Sequence, residues 1–210
     1  EKEVTVKLVP TGEKCPAEAA PGTIYLFQDR WVRQREMLEK RLQAHLGRYR
    51  SIFARKCTIK RIDAITAGEF LNRCHSYGTA RARFKYGMYL GDELVAVSLF
   101  SSARSIPRDG EPVKSYEWVR YASLPECRIA GGMGRMLTFF ITDANPQEVM
   151  TYADLEWSDG STYRRLGFFE ESRKGAVTFW VDPVTFERKR TPPGIEITNL
   201  GSIKYLLRVR

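Results

Sequence analysis

Apolar and polar positions alternate most clearly in "FKYGMYLGDELVAVSLF", where two apolar runs flank Gly91-Asp92. A Gly-Asp pair between such runs predicts a two-residue hairpin turn. Upstream, Trp31, Leu38, Leu42 and Leu46 form one stripe of "DRWVRQREMLEKRLQAHLG". That spacing predicts a helix capped by Asp29 and stopped by Gly47. "CTIKRIDA" reads as a strand. "TAGEFLNRCH" reads as a helix opened by a capping box from Thr66 to Glu69, with Phe70, Leu71 and Cys74 turned inward.

Beyond the hairpin, "RSIPRDGEPVK" reads as a loop and "SYEWVRYASL" as a strand. The glycines Gly131, Gly132 and Gly134 then lead into the helix "GMGRMLTFFITDA", which Asn145-Pro146 stops. "EVMTYAD" is a strand, "GSTYRRLG" a short helix and "AVTFWV" a strand. Phe186 to Pro193 is a basic loop, and "IKYLLRVR" is a terminal strand. At the other end "VTVKLV" alternates like a strand ahead of the linker "PTGEKCPAEAAPG". This order predicts a mixed α/β fold (α+β) with helices packed on a central sheet. Three segments are expected: an extension over 1–50, a main domain over 51–185, and a basic loop with a final strand over 186–210.

Charge narrows the partners. Lys and Arg number 34 against 25 Asp and Glu, a formal net charge of +9, which leans toward polyanions. "RYRSIFARKCTIKR" carries Arg48, Arg50, Arg55, Lys56, Lys60 and Arg61 without an acid, and "TARARFK" adds Arg81, Arg83 and Lys85. Interleaved Tyr49, Phe53, Phe84 and Tyr86 suit a nucleic-acid face. The bland alternative is a solvated surface. The four cysteines lack CxxC spacing, which argues against a zinc knuckle and for reduced thiols in an intracellular compartment. No apolar run approaches the ~20 residues of a membrane span. The first residue is Glu1, so a trimmed terminus, with an organelle matrix as destination, stays open.

Four residues stand out chemically. Asp154 ends a strand, where it can manage an acceptor proton or simply close an Asx turn. Tyr163 follows one short helix later, as a proton donor or a core tyrosine. His75 ends the capped helix, as a base, a weak metal candidate with Asp154, or a residue that the helix dipole favours. Arg120 sits within an apolar strand and needs a carboxylate or an anion, and strand alternation puts Glu117 on the opposite face. The glycine turn, between a strand and a helix N-terminus, offers main-chain amides to a phosphate, with Arg128 and Arg135 beside it. The alternative is a tight turn with close helix–sheet packing.

Taken together, "EWVRYASL", "RIAGGMGRML" and "YADLEWSDGSTYRRLGF" resemble the acyl-CoA-binding half of the GNAT acetyltransferase superfamily over roughly Cys57 to Val181. With "ARKCTIKRI" and "FLNRCHSYG" they resemble its phage-associated branch, the Mom-like DNA-modification proteins and GNAT-like domains of homing-endonuclease-type phage proteins. The resemblance implies a mostly antiparallel sheet with helices on both faces. It implies acetyl-CoA or another acyl-CoA held at Ser123, Arg128, Ile129, Gly131, Gly132, Gly134 and Arg135. It also implies catalytic roles for His75, Arg120, Asp154 and Tyr163, with Tyr163 protonating the leaving thiolate. The expected activity is transfer of an acyl or related group to an amine on nucleic acid, DNA ahead of RNA. Two alternatives are a non-catalytic nucleic-acid-binding module and a small-amine or protein N-acetyltransferase.

Overall fold

The computed structural model describes residues 3–209. In chain order the strands are β1 (Thr5–Val9), β2 (Thr23–Phe27), β3 (Arg50–Phe53), β4 (Thr58–Arg61), β5 (Phe84–Leu90), β6 (Glu93–Phe100), β7 (Arg104–Arg108), β8 (Glu111–Ser123), β9 (Cys127–Ala130), β10 (Glu148–Asp154), β11 (Phe169–Lys174), β12 (Thr178–Val181), β13 (Arg188–Lys189), β14 (Ile195–Thr198) and β15 (Ser202–Arg208). The helices are α1 (Gln28–His45), α2 (Ala64–Cys74), α3 (Gly132–Ala144) and α4 (Ser161–Arg165), and a 3₁₀ turn covers Ala54–Lys56. The chain forms two units, Glu1–Leu46 with Tyr152–Tyr205, and Gly47–Thr151 with Leu206–Arg210.

In the first unit β1 pairs in parallel with β2, from Thr5↔Thr23 to Val9↔Phe27. The pairing turns "TIYLF", which carries no alternation, into a strand buried at four of its five positions. Val9, Tyr25 and Phe27 form a core with Phe179, Val181, Ile197 and Leu200. Met37 and Leu38 of α1 pack on Leu26, with Trp31, Leu42 and Trp157 alongside. Asp29 does not cap α1. The cap position is Phe27, and Asp29 lies buried in the first turn. Its carboxylate instead takes hydrogen bonds from Arg188 Nε (2.5 Å) and Nη2 (3.0 Å). Arg188 Nη1 also donates to Glu156 Oε1 (3.1 Å). The expected basic loop therefore contains β13, and its central cation is buried between two carboxylates.

In the second unit the sheet order is β10-β8-β6-β5-β4, with β7 also paired to β8. β8 pairs in parallel with β10 and antiparallel with β6 and β7, so the sheet is mixed and mostly antiparallel. The expected hairpin forms around Gly91-Asp92, with Leu90 opposite Glu93. A second hairpin replaces the expected loop after β6: Asp109 and Gly110 both take positive φ (50° and 88°) and join β7 to β8. α2 begins one turn earlier than expected, because Asp63 Oδ1 accepts from Thr66 N (2.8 Å) and provides the cap. Phe70, Leu71 and Cys74 do turn inward, against Val97, Leu99 and Ala122. Aromatic rings packed with α3 make the other half of the core. Phe140 stacks on Phe100 at 3.8 Å between centroids, with Tyr116 and Phe84 edge-on. Tyr86 donates to Asp143 Oδ2 (2.5 Å), which Arg61 Nη2 also reaches (2.6 Å).

Candidate functional site

The glycine turn lies wholly in the second unit. Gly131 is exposed and left-handed (φ 76°), and α3 begins at the next residue. The first helical hydrogen bond runs from Arg135 N to Gly131 O (3.0 Å). The amides of Gly132, Met133 and Gly134 precede that bond and face the helix end, where the dipole favours an anion. The turn needs Gly131 for its backbone angle. Gly132 answers to packing, since a Cβ there would fall 2.8 Å from the Tyr121 hydroxyl and 2.9 Å from Ile129 Cγ2. Tyr121 gave no signal in the sequence beyond its place in an apolar strand. It is nonetheless the side chain pressed on the glycine turn from β8, and burial pushes its hydroxyl well above the ordinary tyrosine range.

The flanking residues divide. Arg135 Nη1 donates to the carbonyls of Ala54 and Cys57, so it ties α3 to the 3₁₀ turn. Arg128 lies over the Tyr49 ring at 6.0 Å and is exposed. Ile129 sits in β9 opposite Ile52 of β3, a parallel pairing that the sequence pattern did not show. Ser123 Oγ donates to Cys127 O (3.4 Å).

Arg120 is placed by a β-bulge. β6 and β8 pair Leu99 with Arg120 but Phe100 with Trp118, so the register slips by one residue at Val119. Trp118 stacks on Phe100 on the α3 side. Arg120, reversed by the slip, turns to the α2 side. There it donates to Gly78 O (3.3 Å) and Val119 O (2.8 Å) and lies 5.7 Å from the Tyr77 ring. Among the described residues no carboxylate forms an ion pair with it. Burial holds its guanidinium below the ordinary arginine range, opposed by Tyr77 and Glu117. The bulge thus corrects the expectation that Glu117 faces away: the slip returns both residues to one side of the sheet.

His75 follows α2, and its Nδ1 accepts from Tyr77 N (3.1 Å). A neutral imidazole held this way carries its proton on Nε2 and presents a donor. In the first unit, Asp154 Oδ1 accepts from Glu156 N (3.0 Å), and Asp154 O accepts from Trp157 N (3.1 Å) and Ser158 N (3.0 Å). This is the Asx turn weighed for it. Tyr163 is half-buried in α4, with its ring 5.8 Å from both Phe168 and Tyr205. His75 and Arg120 therefore belong to one unit, Asp154 and Tyr163 to the other. Among the described residues no three His, Cys, Asp or Glu side chains gather as a metal site.

The basic stretches are partly consumed by structure. Arg50 forms a two-pronged pair with Glu93 (2.8 and 2.7 Å), and Arg61 pairs with Asp143. Arg55 lies over Phe53 and Lys60 over Tyr89. For Arg48, Lys56, Arg81, Arg83 and Lys85 no ion pair forms among the described residues. None of the helices is long and apolar enough to cross a membrane, among the described residues.

No protein-family profile and no curated protein sequence matches the chain. Solved structures do resemble it in part. It is similar to Eis1 from Mycobacterium abscessus at 15% identity over 60% of this chain and 34% of that one, TM-score 0.45; the chain spans about a third of that protein's length. It is similar to a GNAT family acetyltransferase from Elizabethkingia anophelis with acetyl-CoA bound, at 15% identity over 73% of this chain and 99% of that one, TM-score 0.43. It is also similar to the ribosomal-protein-S18-alanine N-acetyltransferase from Escherichia coli, at 14% identity over 72% of this chain and 93% of that one, TM-score 0.43. The solved structures that resemble this chain thus include acetyltransferases, and likenesses of this size assign it to no family.

Proposed function

We propose that this protein is a GNAT-like transferase that moves an acyl group from a CoA thioester to an amine. One observation carries the proposal: an exposed, left-handed Gly131 opens α3, so the amides of Gly132, Met133 and Gly134 precede the helix's first hydrogen bond. Such an end favours a diphosphate through both donors and dipole. The residues present fit that group, since no acidic side chain lies in the first turn of α3. In the reaction the amine nitrogen bonds to the thioester carbonyl carbon, the C–S bond breaks, the nitrogen gives up a proton and the thiolate takes one. His75 is proposed as a donor that aligns the acceptor, and Arg120 as the partner of an anionic group. A polyanionic acceptor such as nucleic acid, DNA ahead of RNA, suits the net charge of +9.

The test is CoA binding by calorimetry. Gly131→Asp places a carboxylate at the cradle; the left-handed backbone strains Asp and Asn alike, and a Cβ there meets nothing nearer than Ala54 Cβ at 3.8 Å, so the Asn variant controls for the strain. CoA affinity is expected to fall more than about tenfold in Gly131→Asp and to survive in Gly131→Asn, because only the former adds charge. Equal affinity in both variants refutes the cradle. His75→Ala is expected to lower kcat with CoA affinity unchanged. A specific observation favours a second function: Asp154 Oδ1 and His75 Nδ1 are both occupied by main-chain amides, as suits a non-catalytic binding module. A protein that binds nucleic acid with a steep salt dependence and shows no CoA response is that module.

A further inference from the structure

The second unit carries a hollow of about 450 Å³ lined by Arg81, Ala82, Arg83, Ser101, Ser102 and Arg104. Its walls are fixed by the main chain. Arg83 N donates to Phe100 O (3.0 Å), Ser101 N donates to Glu117 O (2.9 Å), and Glu117 N donates back to Ser101 Oγ (2.9 Å). The segment bearing Arg81 and Arg83 is thereby held against the end of β6, and β7 brings Arg104 across from the other side. Among the described residues no acid lines the hollow. Arg104 reaches Glu117 at 3.6 Å, a loose pair with the arginine 59% exposed. Arg81 and Arg83 form no ion pair among the described residues.

We infer that this hollow is a phosphate-binding site, separate from the glycine turn and independent of any acyl transfer. Three guanidinium groups around one cavity repel one another, and an anion entering it relieves that repulsion. Guanidinium forks match phosphate oxygens in pairs, and the cavity lies in the size range of small-ligand sites. The positive charge of the lining repels a metal cation and favours an anion. Among the described residues no aromatic ring lines the hollow, so a nucleotide bound here is held by its phosphate while its base finds no stacking partner inside. The group recognised is a phosphate ester, either on a small phosphorylated compound or along a single strand.

The test uses the full chain with two probes, inorganic pyrophosphate and a labelled oligothymidylate of about eight nucleotides. Both are titrated between about 50 and 200 mM salt. Each titration is repeated in Gly131→Asp, which blocks the α3 cradle, so phosphate bound in the hollow is read separately from phosphate bound there. Arg81→Gln/Arg83→Gln is expected to weaken binding at least about tenfold, and to reduce the salt slope for the oligonucleotide by about 1.4. Arg173→Gln, outside the hollow and outside the basic stretches, changes affinity less than about twofold. Binding of pyrophosphate alone identifies a small phosphorylated ligand, and binding of the oligonucleotide alone identifies a strand backbone. If the double variant melts lower than the parent, protection of Arg81 and Arg83 from phenylglyoxal by pyrophosphate in the unaltered chain replaces it. The inference is overturned if neither probe binds at about 150 mM salt, if the double variant binds as the parent does, or if pyrophosphate leaves both arginines fully reactive.

Discussion

Replacing Arg188 by methionine tests how the first unit is held together. Arg188 bonds both Asp29 and Glu156, whose side chains are 3% and 1% exposed. Methionine keeps much of the volume but leaves two buried carboxylates without that guanidinium. Removing one partner of a buried ion pair costs about 3–5 kcal/mol. The charge of Arg30 near Glu156 offsets part of this, so the lower end, about 3 kcal/mol, is expected. For a chain of this size that is about 6–12 °C in melting temperature. The loss also depends on pH. Burial, then the charge of Asp154, pushes Glu156 up from 4.5 to about 7. In the native protein Glu156 thus keeps its proton at pH values where the unfolded chain has lost it. Its contribution to stability is full below about pH 4.5 and declines as pH rises to about 7. Arg188 lowers the pKa of Glu156 in the parent, so without it Glu156 keeps its proton to a higher pH, and the deficit grows as pH rises past about 7. Urea titrations followed by the fluorescence of Trp31 and Trp157, which pack in this unit, measure the deficit at about pH 5 and pH 8. A deficit under about 1 kcal/mol at pH 8, the range of an exposed pair, or one that does not grow from pH 5 to pH 8, refutes the reasoning.

Phe140→Ala removes a ring stacked 3.8 Å from Phe100 and edge-on to Tyr116 and Phe84, and is expected to cost about 3–5 kcal/mol in denaturant unfolding. Gly132→Ala presses a methyl group on Tyr121 and Ile129 and is expected to cost about 1–3 kcal/mol; adding Tyr121→Phe should recover part of it, since the closest atom is the hydroxyl. Asp143 is held below the ordinary carboxylate range by the Tyr86 hydroxyl, then by Arg61. It therefore stabilises the fold above its unfolded pKa of 3.8, and the contribution disappears as pH falls through its lower native pKa. Acid unfolding of Asp143→Asn should show a shallower pH dependence below about pH 4 than the parent.

Local pattern determined a great deal of this protein. The β5–β6 hairpin, α2, α3 from Gly132 to Ala144, β10 and β15 follow from alternation, helical spacing, turn glycines and the Asn145-Pro146 stop, all of which act within a few residues. The glycine turn was legible for the same reason: a backbone requirement writes itself into adjacent residues. Pairing between distant segments decided the rest. β2 and the β3–β9 pair lack alternation and are strands because a partner stands beside them. The slip at Val119 overturns the face expected for Arg120 relative to Glu117, because one inserted residue reverses every side chain beyond it. Arg188 reads in the chain as one more cation of a solvated loop. In the structure it is buried between Asp29, 159 residues away, and Glu156, 32 residues away. The hollow lined by Arg81, Arg83 and Arg104 likewise exists only once β7 folds back along β8. Charge and hydrophobicity are properties of residues, but which charges become buried, paired or gathered around a cavity depends on contacts the chain makes only when folded.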